Sequence, residues 1–241
     1  MTCGWFVTGT DTGVGKTFAA CALLHAWRAA GHRALGMKPV AAGVDAAGQN
    51  EDVLRLAAAS GIAAPARLVN PYLFAAPVAP HVAAAETGVA IDIGRIEAAF
   101  AALHDYADII VVEGVGGFRV PLDADHDTAD LAVALGLPVI LVVGLRLGCL
   151  NHALLTAEAI EARGLQLAGW IANRLDAGML RPEASIEALR TRLTAPLLGD
   201  LPHSPEAMSA AHCLTLPVLP SSTAVATRLD SADASTDNRR R

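Results

Sequence analysis

Residues 4–17 read GWFVTGTDTGVGKT. Trp5, Phe6 and Val7 are apolar and β-favouring, which predicts a strand buried on both faces. A turn holding Gly9, Gly13 and Gly15 follows, then Lys16, Thr17 and the helix-like run FAACALLHAWRAA. Strand, glycine loop, Lys-Thr and helix together predict a phosphate cradle. Glycines let backbone N–H groups close around phosphate oxygens, the lysine reaches β- and γ-oxygens, and the Thr17 hydroxyl ligates Mg²⁺. Five residues separate Gly9 from Gly15, where the usual spacing is about four. A glycine-rich turn with an incidental lysine is the plainer alternative, and the flanking strand and helix argue against it.

The rest of the chain must surround such a loop. Its 241 residues fit one large α/β domain, read as 1–220, and a second full domain would be cramped. A hydrophobic share of 53%, much of it alanine, supplies a large core of closely packed helices. The formal net charge is −6 and the one basic block is Arg239 to Arg241, which argues against a nucleic acid as main partner. Cys3, Cys21, Cys149 and Cys213 are scattered, with neither a CxxC pair nor zinc spacing. With no signal peptide ahead of the first strand, the expected location is a reduced cytoplasm. The longest apolar run, 131–145, contains Gly136 and Pro138 and is shorter than the ~20 residues of a membrane span. No membrane partner is expected.

Lysine usage is sharper. Of 18 basic residues only Lys16 and Lys38 are lysines. An ammonium is a compact charge on a flexible stem, whereas a guanidinium is a broad planar fork. Two lysines in an arginine-biased chain therefore suggest places where the fork will not serve, although chance survival is the alternative. Lys38 closes a second strand read over 34–38 and continuing through Pro39 and Val40. That is the carboxyl end, outside which open parallel sheets bind ligands.

Residues 41–50 read as a loop. A helix then starts at Asn50, Glu51 and Asp52, with Val53, Leu54, Leu56 and Ala57 as its apolar face. Asp52 reads first as a helix-start acid favoured by the dipole, with a second Mg²⁺ carboxylate as the alternative. Residues 65–80 hold four prolines and read as an ordered excursion with little helix. A helix over 92–104 leads to the strand 108–113 (DIIVVE), which ends on Glu113 before Gly114, Gly116 and Gly117. This resembles a Walker-B strand with Glu113 as the metal-side carboxylate. A carboxylate closing an apolar strand is costly to bury without a partner, so a functional role is expected over a structural one.

The remaining elements are a helix at 127–135, a strand at 139–144 and a helix entered through 146–151 and ending near 163. A strand at 167–173, a helix at 181–193 and a strand at 196–201 follow. A last edge strand is read at 214–219, where Pro217 confines it to an edge. Residues 221–241 read as a disordered tail. Strands alternating with helices predict a doubly wound, mostly parallel sheet of six to seven strands with helices on both faces.

Several stretches together resemble the dethiobiotin synthetase family: GTDTGVGKT at 9–17, GMKPVAAG at 36–43, VNPYLFAAPVAPH at 69–81, VVEGVGG at 111–117, LPVILVVGLRLGCLNH at 137–152 and GWIANR at 169–174. The resemblance covers about residues 4–205, and the long loop spacing is itself a feature of that family. It implies an ATP- and Mg²⁺-dependent reaction in which CO₂, supplied as bicarbonate, adds to an amine of 7,8-diaminononanoate. The carbamate oxygen then attacks the γ-phosphate, and the neighbouring amine captures the mixed anhydride to close the ureido ring.

The resemblance also implies roles. Lys38, Lys16 and Thr12 would be catalytic, and Thr17, Asp52 and Glu113 would gather round the metal, which reverses the first reading of Asp52. The nucleotide would lie against Gly13, Val14, Gly15, Lys16, Thr17, Phe18, Gly114, Val115 and Gly116. Asn173, Arg174, Pro202, His203 and Ser204 would take its adenine end. Thr12, Lys38 and Ala42 would face the diamine. Gly148, Cys149 and Leu150, read as a helix start with three free N–H groups, would catch its carboxylate from the neighbouring subunit of a homodimer, with Asn151 assisting. A turn glycine and a surface asparagine are the plainer reading there. Two departures stand out: many relatives have serine at Ala42 and an acid at Gly13. Rival readings are a ParA/MinD-like switch ATPase, whose early loop lysine is Asp11 here, and a cobyrinate-type amidotransferase, for whose glutaminase domain the chain has no room.

Overall fold

The computed structural model describes residues 3–204 and 206–219. Six strands form one all-parallel sheet. They are β1 (Cys3–Gly9), β2 (Ala34–Met37), β5 (Ile109–Glu113), β6 (Val139–Leu145), β7 (Leu167–Arg174) and β8 (Leu197–Leu201), in the order β2-β5-β1-β6-β7-β8. A separate parallel pair joins β3 (Val40–Ala42) to β4 (Tyr72–Phe74). The expected doubly wound α/β fold is present.

Strand alternation sorts β1 between two cores. Trp5 and Val7 point toward α1 (Lys16–Ala29) and α2 (Glu51–Ser60), where Leu23, Leu24, Trp27 and Leu56 are buried. Trp5 stacks on Trp27 with ring centroids 5.0 Å apart. Phe6 points the other way, into the core built by α5 (Ile93–Leu103), α6 (Thr128–Leu135), α7 (Cys149–Ala162) and α8 (Pro182–Arg190). Trp5 and Trp170 are among the largest fully buried side chains. Truncating either to alanine should cost about 3–5 kcal/mol, transfer and cavity together.

Several boundaries move. The single strand read over 34–40 is two strands in different sheets. β2 stops at Met37, the Lys38 N–H donates to the Val69 carbonyl at 2.9 Å, and Pro39 has no N–H to continue the ladder. The chain thus leaves the main sheet at Lys38, and the first residues of the expected 41–50 loop belong to β3. The proline-rich excursion holds a short α3 (Ala66–Val69) and β4, and runs into α4 (Pro80–Thr87), which sequence reading missed. On α2 the buried residues are Leu56, Ala59 and Ser60, while Leu54 is exposed and so is Ala57. No strand forms at 214–219: a short α9 (Ala207–Ala210) and a 3₁₀ turn lead to one isolated antiparallel bridge between Leu214 and Gly199. The tail expected at 221–241 lies outside the described residues. Among those residues no helix is long and apolar enough to cross a membrane.

Candidate active site

The sheet order sets the site. β1 lies between β5 and β6, and chain connections leave it in both directions, so a crevice opens outside the carboxyl ends of these strands. A cleft of about 780 Å³ occupies that position.

The phosphate loop runs from Gly9 to α1. Gly15 caps the helix in the left-handed region, with φ +86°. A Cβ there would lie 2.0 Å from Asn173 Nδ2, so only glycine fits. Val14 is fully buried, and its carbonyl accepts a 2.9 Å hydrogen bond from Asn173 Nδ2. Asn173 is itself buried at the end of β7, so the loop is tied down from beneath. Gly13, at φ +73°, faces open space, and its backbone lies in the left-handed region that favours glycine. The Lys16 ammonium bonds the Asp11 carbonyl at 3.1 Å. Burial, with Lys38 repulsion added, pushes Lys16 down to about 8 against the pull of Glu113, Asp52 and Asp11.

Beside the loop sits a buried charged cluster. Lys38 Nζ bonds Glu113 Oε1 at 2.6 Å, Asp52 Oδ2 at 2.9 Å and the Gly114 carbonyl at 3.3 Å. Thr17 Oγ1 lies 2.8 Å from Asp52 Oδ1 and 2.9 Å from Glu113 Oε1; its single proton serves one of them at a time. Lys38 and Glu113 are 3% and 1% exposed, so water screens neither. Burial works against the Lys38 charge, but the Glu113 and Asp52 carboxylates outweigh it and hold the ammonium above the ordinary lysine range. Burial also raises Asp52, yet Lys38 and the Thr17 hydroxyl win and keep that carboxyl below the ordinary range. Burial dominates at Glu113 and raises it. Its Oε2 is buried and has no hydrogen-bond partner among the described residues.

A hydroxyl and two carboxylates, one of them with an orphaned oxygen, are hard donors. They suit a Mg²⁺ ion that takes one or two protein carboxylates and completes its shell from phosphates and water.

Most of the expected site residues meet here. Thr12, Gly13, Gly15, Lys16, Thr17, Phe18, Lys38, Ala42, Asp52, Glu113, Val115 and Gly116 all line the cleft, and Gly114 contributes its carbonyl. Sequence reading missed Asn50, Arg55, Val120 and the stretch Pro77, Val78, Ala79, Pro80, which also line it. Arg55 could have been found one turn along α2 from Asp52 on the helix surface; nothing local marks Val120.

Two groups lie elsewhere. Pro202, His203 and Ser204 form the turn after β8, where His203 Nδ1 lies 3.3 Å from the Arg174 carbonyl. The Arg174 side chain is held by Asp200 and Glu183. Gly148, Cys149, Leu150 and Asn151 begin α7 and do not line the cleft of their own chain. The expectation of three free N–H groups there needs correction, because the Cys149 N–H donates to the Arg146 carbonyl at 3.0 Å, closing the turn before the helix. Arg146 also pairs with Asp11 at 2.5 Å, which fastens the α7 entrance to the phosphate loop.

A family model described as an AAA domain matches residues 4–211. The ATP-dependent dethiobiotin synthetase BioD of Aromatoleum aromaticum is 64% identical over 202 residues, covering 83% of this chain and 90% of that protein. The protein of the same name from Xanthomonas axonopodis pv. citri is 54% identical over 218 residues, covering 88% and 97%. Among solved structures, the septum site-determining protein MinD of Pyrococcus horikoshii with Mg-ADP aligns at TM-score 0.55 and 18% identity, covering 90% and 87%. That likeness is one of fold alone.

Proposed function

The chain belongs to the ATP-dependent dethiobiotin synthetases, and from that premise we propose how its cleft forms dethiobiotin from ATP, CO₂ and 7,8-diaminononanoate. The ligase assignment follows from the family; the division of labour among residues is our reading. The observation that carries it is the convergence of the chain's only two lysines on one cleft, beside Thr17, Asp52 and Glu113.

The chemical difficulty is electrostatic. An anionic carbamate must approach a polyanionic triphosphate, so positive charge has to be concentrated where the two meet. Backbone N–H groups of 13–17 and the Lys16 ammonium hold the β- and γ-phosphates. Thr12 and Lys38 hold the carbamate, whose oxygen attacks the γ-phosphorus as ADP leaves. The second amine then attacks the carbonyl carbon of the mixed anhydride, phosphate departs and the ring closes. Thr17, Asp52 and Glu113 would hold Mg²⁺, which when bound neutralises phosphate charge. Preorganised charges in a buried site cost no rearrangement at the moment of reaction. Asn173, Arg174 and the turn at 202–204 take the adenine end.

The diamine's carboxylate is remote from its amines, and the phosphate loop has no cation left for it. The start of α7 offers Leu150 and Asn151 N–H groups and a helix dipole. Because that start does not line the cleft of its own chain, we infer that it serves the cleft of a second copy, in a homodimer related by a two-fold axis.

The test is mass spectrometry of the product from diamine, bicarbonate, MgATP and enzyme, with phosphate release measured with and without diamine. Dethiobiotin and diamine-dependent phosphate release are expected. ATP turnover indifferent to the diamine would instead mark a switch ATPase.

A further inference from the structure

Lys38 has no donor to offer a substrate in the arrangement described above. An ammonium carries three N–H groups. All three have protein acceptors: Glu113 Oε1 at 2.6 Å, Asp52 Oδ2 at 2.9 Å and the Gly114 carbonyl at 3.3 Å. The role assigned to Lys38 therefore requires it to surrender at least one of these bonds. Something must make that favourable, because the ammonium is buried and would leave two carboxylates behind.

The acceptors identify what that is. Glu113 and Asp52 are the carboxylates that would hold the divalent ion, and Thr17 already reaches both, sharing Glu113 Oε1 with Lys38. Mg²⁺ binds oxygen at about 2.0–2.1 Å. An ion shared with Thr17 would take the oxygens that this hydroxyl reaches, Glu113 Oε1 and Asp52 Oδ1, and the first of these already holds the ammonium at 2.6 Å. One cation excludes the other.

We propose that Lys38 and the divalent cation compete for the Glu113–Asp52 carboxylate pair, so that metal loading displaces the ammonium and hands it to the carbamate. This rests on the reading of Thr17, Asp52 and Glu113 as metal ligands. The resident lysine offsets part of the carboxylate charge, above all that of the buried Glu113, before the metal arrives. The reacting cation is delivered only after the metal is in place, which orders the two events. The same demand accounts for lysine in a chain with 16 arginines. A flexible stem can swing a compact charge between two acceptors, while a planar fork held by fixed bonds cannot.

Two measurements on the nucleotide-free protein test this. Mn²⁺ binding is followed by electron paramagnetic resonance in the wild type, Lys38→Met, Lys16→Met and Glu113→Gln. Methionine keeps the stem and removes the charge. Lys16 is the electrostatic control, because it is also a buried lysine, and its ammonium bonds the Asp11 carbonyl and neither carboxylate among the described residues. Lys38→Met should bind Mn²⁺ at least tenfold more tightly than wild type, and Lys16→Met less than threefold more tightly. Equal gains in the two variants, or no gain at Lys38→Met, overturn the proposal.

The second measurement needs no substitution at Lys38. With only two lysines, protein grown on ¹³C,¹⁵N-lysine gives two ammonium signals, assigned with Lys16→Arg. Adding diamagnetic Mg²⁺ should shift the Lys38 signal or remove its protection from exchange, and do neither in Glu113→Gln. A Lys38 signal unmoved while Mn²⁺ binding depends on Glu113 defeats the competition and leaves the metal-ligand reading standing. Mn²⁺ binding indifferent to Glu113→Gln defeats both.

Discussion

Asn173→Asp replaces one NH₂ by an oxygen and changes no volume, yet its consequences are large and depend on pH. The native amide is 4% exposed and donates to the Val14 carbonyl at 2.9 Å. An ionised aspartate would face that carbonyl oxygen to oxygen, inside the protein. Burial favours the neutral acid, and for an enclosed carboxyl a rise of about two units above its unfolded value near 4 is a moderate expectation. At about 1.4 kcal/mol per unit, this amounts to about 3 kcal/mol. The sign follows from proton linkage. Between about pH 4 and pH 6 the folded variant holds a proton that the unfolded chain has lost, so its stability falls as pH rises and the full penalty is present above about pH 6. About half of it is present at pH 5. For a chain of this size 1 kcal/mol moves Tm by about 2–4 °C. The Tm deficit of Asn173→Asp against wild type should therefore widen by about 3–6 °C between pH 5 and pH 8. Asn173→Ala leaves the Val14 carbonyl unpaired at a cost of about 1–3 kcal/mol, with no pH dependence of its own. Thermal melts of the three proteins at both pH values decide the matter. Equal, pH-independent deficits in the two variants would mean that residue 173 does not face the loop carbonyl.

Gly15→Ala should abolish measurable ADP binding by calorimetry while the protein still folds, since its methyl would displace Asn173 and force a left-handed residue. Lys38→Arg should lose most turnover in steady-state kinetics although charge is kept, because the fork cannot exchange between carboxylate and carbamate. Glu113→Gln should raise the Mg²⁺ concentration needed for half-maximal rate by tenfold or more in a protein that still folds; an unchanged Mg²⁺ requirement would remove Glu113 from the metal. Sedimentation should show a dimer at working concentration, and Asn151→Ala should raise the diamine KM more than the ATP KM. A fully active monomer would refute the shared site.

What could be read in the sequence was local. The phosphate loop and the Glu113 strand announce themselves because an apolar run, a glycine turn and the reactive residue lie side by side. The split after Met37 was not readable, since Pro39, Val40 and Ala41 suit either a continued strand or a new one. The sheet each residue joins depends on β4, some thirty residues on. Helix α4 was missed because alanines give it little amphipathic signal and the prolines before it read as loop; Pro80 in fact stands in its first turn, where a proline is tolerated. Asp52 was readable after all. Buried Leu56, Ala59 and Ser60 share a helical stripe whose previous turn holds residue 52. The choice of Val53 and Leu54 as the buried face concealed it.

The cluster itself comes from strand order and register, which no local signal carries. Lys16, Lys38 and Glu113 follow or close three different strands, and β5 lies between β2 and β1. Because the sheet is all parallel, the three carboxyl ends open on one side. Register then sets the height. Met37 pairs with Val112, so Lys38 comes level with Glu113, while Glu113 pairs with Val7 two residues before the loop begins. Strand side chains alternate faces with period two, so a one-residue slip of β5 would turn Glu113 to the opposite face. That slip would also place Val112 or Gly114, according to its direction, and not a carboxylate, level with Lys38. The apolar residues that fix the register, Ile110 and Val112 on one face and Ile109 and Val111 on the other, therefore also position the charge pair. Core packing and chemistry share one constraint here.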